Sequence, residues 1–119
     1  MIKKIKINEK EFTIHSSALT SFKYKEMTGR ELLTDIQSMQ KMDKVDKNNA
    51  LQITDDLLDK LLKITYVMIE EQDPTQVDGY ESFLKSLDTL FDDDQWMSDV
   101  IETAIHPISG GNKTIPPQK

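Results

Sequence analysis

Between Thr54 and Glu71 the chain carries Leu57, Leu58, Leu61, Leu62, Ile64, Val67, Met68 and Ile69. At helical spacing these positions cover more than one narrow stripe, and a peripheral helix would leave part of that surface in water. The segment is therefore expected to be a central helix, with the rest of the chain arranged around it. Thr54, Asp55 and Asp56 start it, combining a capping hydroxyl with carboxylates near the positive end of the helix dipole. Gln72-Asp73-Pro74 stops it, because proline lacks the amide donor and disfavours helix in the residue before it.

Residues 3 to 15 read differently. Ile5 and Ile7 share one face of an alternating pattern with Lys4 and Lys6 on the other, and Phe12 and Ile14 repeat it after Asn8-Glu9-Lys10. This predicts a β-hairpin in which Ile7 pairs with Phe12 across a loop of four residues. Both apolar pairs then lie on one face. An isolated hairpin is marginal in water, so that face should lie on helices.

Ser16 or Ser17 can cap a short helix through Leu19, Phe22 and Glu26. Gly29 follows where the chain needs positive φ, which glycine adopts without a Cβ clash. Thr28 and Glu31 have capping-box spacing for a second helix from Arg30 to about Met42, with Leu32, Leu33, Ile36 and Met39 facing inward. Residues 43 to 53 read as a loop or frayed helix end. After the turn at Asp78-Gly79, the spacing of Phe83, Leu84, Leu87, Leu90 and Phe91 is helical from Tyr80. A last helix is expected over about 93 to 105, carrying Trp96, Met97, Val100, Ile101, Ala104 and Ile105. The expected fold is mainly α (α+β), with the N-terminal hairpin packed on a bundle of about four to five helices. Residues 1–106 form one domain in this reading, and 107–119, rich in Gly and Pro, a flexible tail.

A length of 119 residues fits one domain with its own core. The 21 acidic against 15 basic residues give a net charge of −6, which argues against nucleic acid as the main partner. No stretch is long and apolar enough to cross a membrane, so a soluble, unprocessed chain is expected. The absence of cysteine removes disulfides, thiol catalysis and Cys-ligated zinc, and fits the cytoplasm.

No constellation of residues points to catalysis. His15 and His106 lack metal-ligand partners at helical spacing, and read as the end of a strand and of a helix. Asp92-Asp93-Asp94 offers hard oxygens, but without calcium-loop spacing it reads as a solvated run before a helix. Ser38-Met-Gln-Lys41 matches Ser-x-x-Lys without further motif residues, and Gly110-Gly111-Asn-Lys-Thr114 lacks the spaced first glycine of a phosphate loop. No catalytic residue, metal site or cofactor is expected. Tyr80, Phe91, Trp96 and Met97 are the candidate partner-binding residues, expected to be partly exposed. For Phe91, Trp96 and Met97 the helical spacing favours ordinary core, with partner contact as the alternative.

The lysine-rich hairpin, the segment Tyr24-Lys25-Glu26-Met27-Thr28-Gly29-Arg30-Glu31-Leu32 with Asp35 beyond it, and the later Tyr80-Glu-Ser-Phe83-Leu84 resemble the tail assembly chaperones of long-tailed phages and prophages of Gram-positive bacteria. The resemblance spans about 100 residues and rests on caps and core positions. It implies a non-enzymatic protein that binds the tape measure protein, keeps its apolar helices from aggregating and recruits tail tube subunits. Such a protein works in the cytoplasm of the host bacterium and is absent from the mature virion. Concentration-dependent homo-oligomers would suit that task; nucleic acid and membrane are not expected partners. The competing reading is a small acidic inhibitor or adaptor in a basic site of a host or phage protein. Against it, charges of both signs are interspersed, and a mimic of nucleic acid needs a dense acidic face.

Overall fold

The structure, a computed structural model, describes residues 1–7, 9–45, 55–89 and 95–109. Strands β1 (Ile2–Ile7) and β2 (Lys10–His15) form an antiparallel hairpin. Helices α1 (Ala18–Thr28), α2 (Leu32–Val45), α3 (Asp55–Gln72), α4 (Tyr80–Lys85) and α5 (Gln95–Ser109) follow, with a short 3-10 turn at Pro74–Gln76. The architecture is the expected one, a mainly α fold with an N-terminal hairpin laid on helices.

α3 is central: it packs against β2, α1, α2, α4 and α5. Leu61, Leu62, Ile64, Val67, Met68 and Ile69 are all buried, and Leu57 and Leu58 are partly so. The hairpin adds Ile5, Ile7, Phe12 and Ile14 to the same core. Its register differs from the expected one. Ile5 pairs with Phe12 and Ile7 with Lys10, so the loop has two residues instead of four. Glu9 reaches φ 76°, and positive φ in a two-residue loop matches the twist of the strands. A shift by two residues leaves every side chain on its own face, so the buried set is unchanged.

The corner between α1 and α2 turns at Gly29, which sits at φ 76° and donates its N–H to Lys25 O at 2.7 Å. The expected Thr28–Glu31 capping box is not made. Thr28 still belongs to α1, and its hydroxyl donates to Tyr24 O (2.8 Å) while accepting from Arg30 N (3.0 Å). The capping box lies at the other end of α1, between Ser17 and Thr20. α2 starts at Leu32 and runs on to Val45, so residues 43 to 45 are helical. Leu32, Ile36 and Met39 are buried together with Asp35, but Leu33 is not, because it lies about 100° round the helix from Leu32 and off that face.

α4 is a single short helix that ends at Lys85, with Phe83 buried and Leu84 exposed. α5 runs from Gln95 to Ser109, past the expected end at 105 and the expected domain boundary at 106. Pro107 is accommodated because its fixed φ is helical and only the last turn loses a bond. Thr54, Leu90, Phe91, Asp92-Asp93-Asp94 and residues 110–119 lie outside the described residues.

Candidate partner-binding site

α1 is held at both ends by carboxylates from other helices. At its C-terminal end Asp35, 1% exposed, accepts from Tyr24 Oη at 2.5 Å. Arg30 grips the same carboxylate as a fork, Nε to Oδ2 and Nη2 to Oδ1, both at 2.9 Å. Lys60 of α3 stands 4.0 Å away and pairs with Asp56 at 3.0 Å. Burial pulls the Asp35 carboxyl upward, but the hydrogen bonds from Arg30 and Tyr24 and the nearby cations hold it below its ordinary value. Burial and the same carboxylate push the Tyr24 phenol up. Lys25 and Glu31 close the outside of the corner at 2.6 Å.

At the N-terminal end Glu71 of α3 accepts from Thr20 Oγ1 at 2.5 Å and from Ser17 Oγ. His15 Nδ1 lies 3.6 Å from the same carboxylate. A Ser–His–carboxylate set invites comparison with an acyl-transfer triad, in which histidine stands between the other two and takes the serine proton. Here serine donates directly to the carboxylate and also accepts from Leu19 N, so its role is a helix cap.

Between the two ends, the buried face of α1 is Thr20 and Tyr24, spaced i and i+4. Its apolar letters point outward: Phe22 is 72% exposed and Leu19 is 49% exposed, with Met27 also at the surface. The sequence places Leu19 and Phe22 on this helix but does not say which face they take, since an exposed apolar side chain is not unusual. On a helix of 11 residues the Leu19–Phe22 ridge and the Thr20–Tyr24 ridge point in different directions, and only the second has buried hydrogen-bond partners to meet.

The residues expected at a partner surface are placed otherwise. Trp96 and Met97 are core, 1% and 8% exposed, as their helical spacing favours, and the alternative of partly exposed partner contacts is corrected for both. The reason is that α5 packs against β1, α3 and α2, and its apolar face joins the common core. Tyr80 is half-buried. It stacks edge-on against Tyr66 with ring centroids 5.4 Å apart, and its hydroxyl lies 3.3 Å from Asp59 Oδ1. Burial first, then Asp59, pushes its phenol up. Phe91 lies outside the described residues. Tyr80 thus belongs to an aromatic group with Phe12, Tyr66 and Phe83.

His15 ends β2 and His106 lies in the last turn of α5. Ser38 Oγ donates to Thr34 O. Among the described residues no group of three or more His, Asp or Glu is placed to hold a metal ion, and no helix is long and apolar enough to cross a membrane. No family model matches the chain, and no curated protein or solved structure does so either.

Proposed function

We propose that this chain is a phage tail assembly chaperone, binding the tape measure protein in the host cytoplasm, recruiting tail tube subunits and leaving before the virion is complete. The observation that carries the reading is the bonded unit of Tyr24, Arg30 and Asp35, with Gly29 at the turn. These are residues of the stretch on which the resemblance rests. Their role is to fix α1, and a fixed α1 presents Leu19 and Phe22 to solvent.

A chaperone for a long helical protein has to cover it with many copies and release each one as tube subunits arrive. Weak apolar contacts from a small ridge meet both needs, since linked weak sites hold collectively and exchange singly. The contact surface in this reading moves from α5 to α1. Co-expression with a phage tape measure protein, followed by size-exclusion chromatography and pull-down, is the test. A soluble complex that is lost in a folded Leu19→Ser/Phe22→Ser variant is the expected result. A tape measure protein that stays equally soluble without this chain, and forms no complex at micromolar concentration, overturns the proposal.

A further inference from the structure

The two outer edges of the hairpin differ. Met1 and Ser16 exchange both backbone bonds, N to O at 3.0 Å and 2.9 Å. In an antiparallel ladder every second pair does so, which makes Lys3–Ile14, Ile5–Phe12 and Ile7–Lys10 the bonded pairs. The backbone groups of Glu11, Thr13 and His15 therefore face away from β1, and those of Ile2, Lys4 and Lys6 face away from β2.

On β2 that outward edge is clamped at Thr13, while Glu11 near the loop is exposed. The Gln76 side-chain amide pairs with Thr13 as a strand would, accepting from Thr13 N and donating to Thr13 O, both at 2.9 Å. Thr13 and His15 are only partly exposed. On β1 the corresponding positions carry no such clamp. Ile2, Lys4 and Lys6 are exposed, and their outward backbone groups have no partner among the described residues. The inner face of β1 is meanwhile fixed on α5 by Lys3, which pairs with Asp99 and Glu102 at 3.6 Å and 3.7 Å. Lys4 and Lys6 form no ion pair among the described residues.

A rigid strand with an open edge takes an extended backbone, and the side chains beside that edge choose which one. A second copy of β1 would set lysines against lysines, an arrangement that discourages edge pairing. Carboxylates at alternate positions would instead lie beside Lys4 and Lys6. We propose that β1 is a docking edge for an extended, acidic segment of a partner protein, added as a third strand. This inference is independent of the tail-assembly reading.

The probe is the synthetic peptide Thr-Glu-Val-Glu-Val-Glu-Thr, titrated into the full isotope-labelled chain. Saturable amide shifts and slowed hydrogen exchange at Ile2, Lys4 and Lys6, with the Thr13 amide unchanged, are the expected result. Lys4→Glu/Lys6→Glu should weaken binding at least about tenfold, as two surface ion pairs reversed to repulsions would. Lys4→Pro removes an outward amide without touching the β1–β2 ladder, and should abolish binding. Circular dichroism checks that each variant is folded, and the shift map of the unmodified chain is decisive if the proline variant is not. Binding that is unaffected by charge reversal, shifts centred elsewhere, or no binding up to about 1 mM overturns the proposal. So does protection of the β1 amides on concentrating the protein alone, or tighter binding of a thymidine oligonucleotide at the same lysines.

Discussion

Asp35 and Glu71 are both carboxylates in the interior, and both tie α1 to another helix, yet they are satisfied differently. Asp35 is held by a guanidinium fork and a phenol, with an ammonium in reach. Glu71 accepts from two neutral hydroxyls, with a half-exposed histidine beside it. A buried carboxylate with a placed cation is strongly unfavourable to uncover from one side, whereas one that rests on hydroxyls can be replaced by an amide of the same shape. The two ends of α1 should therefore fail to different degrees.

The largest effect is expected from Asp35→Ala, which leaves the Tyr24 hydroxyl buried without its acceptor and frees Arg30. A loss of about 3 kcal/mol by urea unfolding is expected, at the low end for a broken buried pair because Arg30 is half exposed. Glu71→Gln keeps one acceptor oxygen and should cost about 1–2 kcal/mol in the same assay. If Glu71→Gln proves the more damaging, the ranking of the two clamps is reversed and the cation at Asp35 is not what distinguishes them.

Gly29→Val, at the turn beside the Asp35 network, should cost about 1–2 kcal/mol by placing a β-branched residue at positive φ. No neighbour lies within 4 Å of the added Cβ, so the cost is conformational. Glycine-to-alanine and glycine-to-valine variants compared by thermal unfolding would separate backbone strain from β-branching.

The folded Asp35 carboxyl lies below its ordinary value, so its stabilisation is present above the unfolded pKa near ~3.9 and is lost as pH falls through the lower folded value. The stability difference between the unmodified chain and Asp35→Asn should thus shrink on acidification below about pH 4. At the alkaline end the phenols of Tyr24, Tyr66 and Tyr80 are all raised, Tyr66 to about 12, chiefly by burial. Their stabilisation is complete below the ordinary phenol value near ~10 and declines as pH rises towards the folded ones. Tyr66→Phe should flatten part of that decline in pH-dependent unfolding.

The smallest effect on stability is expected between the clamps. Phe22→Ser changes an exposed side chain and should stay within about 0.5 kcal/mol of the unmodified chain. A loss of several times that would mean that Phe22 is covered, by self-association or otherwise, and analytical ultracentrifugation would identify which.

Tyr24, Arg30 and Asp35 fall within 12 positions, so their corner could be located from Gly29 and its neighbours, although the bonds between them could not. The Thr28–Glu31 cap failed as an expectation because Lys25 offers Glu31 a cation and Tyr24 O offers Thr28 an acceptor. Spacing alone favours core for Trp96 and Met97 and leaves a partner surface open. Only the seating of α5 on α3 and β1 put them in the core.

By itself the sequence determined the α3 core, the hairpin face of Ile5, Ile7, Phe12 and Ile14, and the left-handed turn at Gly29, because periodicity and glycine's missing Cβ act over a few residues. Tertiary structure alone decided the partners of Glu71, more than 50 positions from Ser17 and Thr20, and the Gln76 clamp on Thr13, 63 positions away. It also decided that Leu19 and Phe22 face water. A helix with two competing ridges turns inward the one whose polar atoms find buried partners, and those partners come from distant parts of the chain.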